Sequence, residues 1–255
     1  MVAEPPPPKL SVVVPLLNEA PNLEPLHREV AAAMDELALP WELVFVDDGS
    51  RDSSPQVLAR LRADDHVRVV TLDRNYGQST AMIAGAEAAR GKWVATLDAD
   101  GQNDPRDLVR LWRQIEEGGC DGVIGVRQRR ADSWVRRVSS RIANGVRNRM
   151  LGDSTTDVGC STRILRRRAL LEAHRFEGMH RFLPLLVRAI GYELREVPVH
   201  HRPRRAGESK YGINNRLWRG IADMLMVHRL LRRTVRYRTK PEAPDSTDPA
   251  REAYE

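Results

Sequence analysis

The chain has 255 residues, 41% of them hydrophobic, and a net charge of +6. That is enough for one large α/β core or two small ones, and it excludes a chain too short or too polar to bury a core. No apolar run approaches the roughly 18 residues of a membrane span, and the opening MVAEPPPPKL lacks the apolar stretch of a signal peptide. The expectation is a cytosolic protein. Its two cysteines, Cys120 and Cys160, have no CxxC spacing and are expected as reduced thiols, not as a disulfide or zinc site.

After a tail expected at 1–9, apolar runs of strand length recur: Ser11–Pro15, Leu43–Val46, Val67–Leu72, Trp93–Leu97 and Gly122–Val126. Between the first four lie stretches of helical spacing, Asn22–Leu37, Ser53–Arg62 and Gln78–Ala89, and Asn103-Asp104-Pro105 signals a further helix start. Strand, helix, strand, with strands apolar on both faces, predicts a mostly parallel sheet with helices on both sides. Beyond Val126 the texture changes. Ser133–Leu151 reads as a basic helix, Arg163–Ala173 and Phe182–Ile190 as helical pieces, and Leu194–Val199 as a strand. HHRPRRAGESKYG reads as a loop and Ile213–Arg233 as a long amphipathic basic helix. The polar, proline-containing remainder, 234–255, is expected to be a disordered tail.

In open parallel sheets, ligands bind beyond the carboxyl ends of the strands. Three polar clusters are predicted there: Asn18-Glu19, Asp47-Asp48-Gly49-Ser50, and Asp98 to Gln102. Asp98, Asp100 and Gln102 fall at alternate positions after a buried strand. Two carboxylates so close repel unless a positive charge sits between them, and their oxygens suit a hard cation, Mg2+ or Mn2+, whose shell phosphate and water complete. The competing reading is a helix N-cap cluster, but Asn103 or Asp104 fills that role alone. The positive charge is uneven too. From Arg127 to Arg168 there are twelve arginines, three aspartates and no lysine or glutamate. Fork-like contacts to phosphate favour arginine over lysine. A solvated surface, nucleic acid, an anionic membrane and a phosphorylated substrate all compete to explain it.

Seven blocks, VVVPLLNEAPNL, VFVDDGSRDSS, DRNYGQSTAMIAG, TLDADGQNDP, TTDVGCSTRILRR, VPVHH and GESKYG, together resemble family 2 glycosyltransferases of the GT-A fold. Within the family they are most similar to the polyprenyl-phosphate glycosyltransferases, and NYGQ, DVGC and PVHH to the aminoarabinose-transferase branch. The resemblance runs from Leu10 to Arg233. It implies a single GT-A domain over 10–212, followed by the helix 213–233. It places Pro15, Asn18, Glu19 and Asp47 along a nucleotide-sugar pocket, with Asp48 and Ser50 in the same turn and Asn75, Gly77 and Gln78 flanking the donor. Asp98, Asp100 and Gln102 match metal-ligand positions; Gly101 departs from the larger apolar residue usual there. Arg127, Arg136 and Ser140 match acceptor-phosphate positions, with Arg137 or Arg141 as substitutes because the gap from Arg127 to Arg136 is short. Arg204 and Lys210 would close over the reacting groups. Asp100, Arg127, Arg204 and Lys210 form the implied catalytic set.

The implied reaction moves a sugar from a GDP- or UDP-linked donor to a polyprenyl phosphate. That acceptor is nearly a dianion at neutral pH, with a second pKa of about 6. It is already a nucleophile, so a general base, worth roughly 10²–10⁴-fold elsewhere, has little to do. Inversion by single displacement is expected, since no covalent nucleophile stands out. A lipid acceptor without a membrane span leads to the expectation of peripheral attachment to the inner face of the plasma membrane. The helix Ile213–Arg233 has Leu217, Ile221, Leu225 and His228 along one side and Met224, Leu230 and Leu231 nearby; it either packs on the domain with a basic outer face or lies on the anionic surface, and a separate membrane subunit could serve instead. His200-His201, His174, His180 and His228 are read as ordinary polar residues. The alternatives are a soluble polysaccharide or protein acceptor, a non-catalytic scaffold, and a basic nucleic-acid-binding protein. The last leaves the acidic trio without a role, and no nucleic acid is expected as partner.

Overall fold

The computed structural model describes residues 6–127, 145, 149–152, 155–203 and 213–233, with side chains of the last helix described from Ala222 onward. The expected basic helix Ser133–Leu151 (in most of its length), the loop holding Arg204 and Lys210, and most of both tails lie outside the described residues.

Strands and helices alternate through the first half: β1 (Leu10–Leu16), α1 (Ala20–Leu37), β2 (Trp41–Asp47), α2 (Ser54–Leu61), β3 (Val67–Thr71), α3 (Gln78–Ala88), β4 (Trp93–Thr96), α4 (Arg106–Glu116) and β5 (Gly122–Arg127). Then come β6 (Arg163–Arg166), α5 (Arg167–Glu172), a 3-10 turn (Met179–Arg181), α6 (Leu183–Ala189), β7 (Leu194–Val199) and α7 (Ile213–Arg233). One seven-stranded sheet results, in the order β3-β2-β1-β4-β6-β5-β7. All neighbours are parallel except at β6, which runs antiparallel to both β4 and β5.

Both faces of the sheet are covered, which is why its strands read as unbroken apolar runs. Side chains alternate across a strand. Val12 and Val14 of β1, with Leu43 and Phe45 of β2, join the core beneath α1, α2 and α4. Val13, Val44 and Val46 join the opposite core beneath α3, α5, α6 and α7. Each such side chain, fully buried, contributes about 1.5–3 kcal/mol relative to exposure. α4 buries Leu108, Val109, Leu111, Trp112 and Ile115 at helical spacing and leaves Arg110 and Arg113 outward.

One expectation needs correction. The helical piece at Arg163–Ala173 begins instead as a strand: Arg163 to Arg166 pair with Thr96 to Trp93 of β4, and Gly122 to Ile124 of β5 pair along the other side of β6. Ladder pairing on two sides outweighs the local helical spacing, and the helix starts only at Arg167. In α7 the buried stripe holds Val227, with Met224, Leu230 and Leu231 packed beside it. Leu225, on the side expected to meet a membrane surface, is 52% exposed next to Met226 at 40%. The spacing allows either stripe, and the opposite core takes the one through Val227.

Candidate active site

The turns after β1, β2 and β3 are sewn together by short side chains. Asn18, at a φ of 54°, accepts the Arg51 N–H at its Oδ1 (2.7 Å), and its own N–H donates to Ser50 Oγ (2.8 Å). Asp47, buried at the end of β2, accepts the Ser50 N–H (2.9 Å). Asp48, also buried, accepts the N–H groups of Tyr76 (2.7 Å) and Gly77 (2.8 Å), and so fixes the loop before α3. Glu19 accepts from the Asn22 amide (2.7 Å). Pro15 is partly buried in β1, and Asn75 is exposed on the loop that Asp48 holds. These sequence-predicted donor residues therefore share one edge of the sheet, and Asn18, Asp48 and Ser50 spend part of their bonding on shaping it.

Asp98 lies just past β4. Its Oδ1 accepts from Gln78 Nε2 at the start of α3 (2.8 Å), and its Oδ2 accepts from Ser161 Oγ (2.7 Å). Burial raises its pKa above the carboxylate norm; Ser161 opposes that, and the Asp100 charge adds to it. Although the trio sits at alternate positions, it does not form an extended run. β4 ends at Thr96 and the chain turns. Asp100 Oδ1 accepts the Gln102 N–H (3.1 Å), and Gly101 takes a φ of 74°, a left-handed value that glycine adopts without strain and that a larger apolar residue would resist.

Across the gap, Arg127 ends β5. It forks onto Asp157, Nε to Oδ2 at 2.6 Å and Nη2 to Oδ1 at 2.7 Å, with both side chains largely buried. Burial works against the charge, but the fork outweighs it and raises the arginine pKa. A Cβ on Gly159 would sit 2.8 Å from Arg127 Nη2, so glycine there leaves room for the fork. Because β6 is reversed, the segment leading into it delivers Asp157 to Arg127 and Ser161 to Asp98 at the same edge. Arg136, Ser140, Arg204 and Lys210 lie outside the described residues.

Several participants were not read as site residues in the sequence. Asn103 accepts the Asp98 N–H (2.9 Å) and donates to Thr162 Oγ1 (2.8 Å), bracing the acidic turn against β6. Arg163 is buried, donates to the Cys160 carbonyl (2.6 Å) and the His180 carbonyl (3.2 Å), and has an Nε without a partner among the described residues. His180 is not the ordinary residue expected. Ser79 Oγ accepts the N–H groups of Gly178 (3.1 Å) and His180 (3.4 Å) and shares a hydrogen bond with His180 Nδ1 (2.8 Å). Burial, then the Arg181 and Arg163 charges, lower its pKa to about 4. The arginine bias also has a local explanation. Arg166 bonds Asp121, Arg167 the carbonyls of Ala86 and Glu87, and Arg168 Glu172. With Arg127 and Arg163, five of the twelve are spent on the protein itself.

Among the described residues, no three His, Cys, Asp or Glu side chains converge as a complete metal cage. The donor set still fits a cation that shares its shell with a ligand. Asp98 and Asp100 are hard oxygen donors, and their mutual repulsion in a desolvated corner is the charge imbalance such an ion relieves.

A parallel sheet with one reversed strand and polar turns at its carboxyl edge is the architecture of GT-A glycosyltransferases. Glucosyl-3-phosphoglycerate synthase from Mycobacterium tuberculosis, crystallised with Mn2+, UDP and phosphoglyceric acid, superposes with a TM-score of 0.66 at 19% identity, covering 87% of this chain and 78% of that one. At that identity the likeness concerns the fold. The chain belongs to glycosyl transferase family 2, whose profile matches residues 11–173. The undecaprenyl-phosphate 4-deoxy-4-formamido-L-arabinose transferase of Shewanella sediminis is 41% identical over 211 residues, 81% of this chain and 62% of the relative. The dodecaprenyl-phosphate galacturonate synthase of Rhizobium johnstonii is 39% identical over 239 residues, 91% of this chain and 69% of the relative. The chain thus spans under two thirds of the first of these relatives and slightly more of the second.

Proposed function

We propose that the chain is an inverting glycosyltransferase that moves a sugar from a UDP- or GDP-linked donor to a polyprenyl phosphate at the cytoplasmic membrane face. One observation carries this reading: the Asp98–Asp100 turn and the Arg127–Asp157 fork face the same sheet edge, one strand apart. The relatives' names supply the acceptor class, and their sugars define the first donors to try.

Asp98, Asp100 and Gln102 would hold Mg2+ or Mn2+, which when bound neutralises the donor diphosphate as it departs. Gln78 and Ser161 orient the Asp98 oxygens, each of which keeps a lone pair for that role. Asp47 and the Asn18–Ser50 turn shape the nucleotide side. Arg127 keeps N–H donors outside its fork and would orient the acceptor phosphate, together with Arg136 and Ser140; Arg204 and Lys210 complete the cationic side. These residues offset the repulsion between an anionic acceptor and an anionic donor, and no proton needs to move.

No helix among the described residues is long and apolar enough to cross a membrane. α7 turns Leu225, Met226, Arg229, Arg232 and Arg233 outward. Apolar and cationic groups on one exposed face suit the interface of an anionic leaflet, with a separate membrane subunit as a further partner.

The test is sugar transfer to polyprenyl phosphate presented in vesicles, anionic or neutral, with Mn2+ or with EDTA. Transfer is expected with Mn2+, faster on anionic vesicles, and absent in EDTA. Undiminished turnover in EDTA would overturn the metal's role, transfer only to a soluble acceptor would overturn the lipid reading, and equal rates on both vesicles would overturn the membrane reading.

A further inference from the structure

The chain does not leave the sheet freely after β7. The His200 N–H donates to Asp107 Oδ2 (2.7 Å) and its ring Nδ1 lies 3.0 Å from Oδ1. His201 then pairs antiparallel with Asn103, and the Arg202 N–H donates to the Gln102 carbonyl (2.9 Å). The Arg202 guanidinium spans two further elements. One Nη reaches Glu29 Oε2 on α1 (2.7 Å), and the other reaches Asp104 Oδ2 on the flank of the acidic turn (2.6 Å). Its side chain is 25% exposed, and Asp104 is buried.

Asp104 has a second arginine partner, Arg106, at 3.1 Å. That pair is two residues apart and 74% exposed on the arginine side, so it travels with the turn and cannot fix the turn's place in the fold. From the sheet side the turn is anchored by Asn103 to Thr162. From the α1 side, among the described residues, Arg202 provides the anchor. Burial opposes its charge, yet the bonds to Glu29 and Asp104 hold it firmly cationic.

We propose that Arg202 is a positioning residue that locks the Asp98–Gln102 turn to α1 and thereby sets how well the turn binds its divalent cation. The inference rests on the proposed function above. Arg202 touches neither substrate nor reacting atoms. Its guanidinium acts through Asp104, while the backbone bond to the Gln102 carbonyl persists whatever the side chain, and Glu29, on the far side of the turn, is part of the same device. A planar fork makes both contacts with little further loss of freedom; a lysine reaches one carboxylate at a time.

The experiment titrates Mn2+ into folded protein at fixed UDP, and separately GDP, reading the apparent Mn2+ affinity of wild type, Arg202→Ala, Arg202→Lys, Glu29→Gln and the double variant Arg202→Ala/Glu29→Gln. Arg202→Ala is expected to weaken Mn2+ about tenfold, the lower end of what partners of metal ligands contribute. Arg202→Lys and Glu29→Gln should lose less, and the double variant should lose no more than Arg202→Ala alone, as expected when both act through one contact. Nucleotide binding without Mn2+ should not change. A purely structural role would lower the melting temperature and leave the Mn2+ affinity of folded protein untouched, which would overturn the proposal. Should Arg202→Ala fail to fold, unchanged Mn2+ affinity in Glu29→Gln overturns it equally. A wild type that binds neither nucleotide with Mn2+ would bring down the parent reading and this inference together; wild-type binding with unaffected variants brings down this inference alone.

Discussion

The walls on either side of the candidate site are held by different bonds. Along the turns after β1, β2 and β3, short side chains accept from backbone N–H groups: Asn18 from Arg51, Asp47 from Ser50, Asp48 from Tyr76 and Gly77. Along β5 and the segment after β7, guanidinium groups meet carboxylates: Arg127 with Asp157, Arg202 with Glu29 and Asp104. The first wall is a shaped backbone whose form depends little on salt. In the second, Arg127 keeps N–H groups that can be shared with an incoming anion, while Arg202 only braces the acidic turn, and burial limits the screening of both. Under the proposed function, the first would cradle the nucleotide and the second would face the lipid phosphate.

The sharpest way to break the contrast is Asp100→Ala. Transfer should fall by about 10³-fold, the scale of losing a principal electrostatic stabiliser. Mn2+-dependent nucleotide binding should vanish, while circular dichroism and thermal melting stay close to wild type. Retained Mn2+ dependence would mean that the acidic turn is not where the ion acts. Arg127→Ala tests the opposite wall. Losing one charged hydrogen bond costs about 1.5–3 kcal/mol, so the KM for polyprenyl phosphate should rise about 10–100-fold. Donor binding should change far less; equal loss of both would show that the two walls do not divide the substrates.

The smallest effect concerns the joint behind them, where His180 meets Ser79 at the start of α3. Its folded pKa of about 4 lies below the ordinary 6.5. The unfolded chain therefore takes up a proton that the folded one refuses. Stability on this account is complete above about pH 6.5, falls as pH drops toward 4, and then levels off. The loss should be about 2 kcal/mol once partial exposure is allowed for. Urea denaturation from pH 7 to 5 checks it against His180→Asn, whose profile should be flatter; identical profiles would exclude His180 as the cause.

Much of this was legible from residue order. Strands β1 to β5 announce themselves because burial on both faces demands continuous apolar runs, and the polar clusters after β1, β2 and β4 follow from where such runs stop. β6 was not legible. Its four residues, Arg-Ile-Leu-Arg, carry charges at both ends, and only pairing with β4 and β5 makes them a strand. In the site, the carboxylates stood out while their supports did not. Ser161 meets Asp98 across 63 positions and Thr162 meets Asn103 across 59; small polar residues in loops give no hint of such partners. Arg202 was hidden in a basic run, and among the described residues of the arginine-rich half Arg163, Arg166, Arg167 and Arg168 serve the fold, which composition alone does not separate from ligand binding.

The reversed strand has one more consequence. Neighbouring strands sit about 4.8 Å apart, so β6, lying between β4 and β5, keeps the backbones of the strands that carry the acidic corner and the Arg127 fork roughly 10 Å apart. That gauge is set by the peptide ladder, as a sleeper sets the width of a track. Substituting side chains can change what lines the slot, but widening or narrowing it would take the loss of a whole strand.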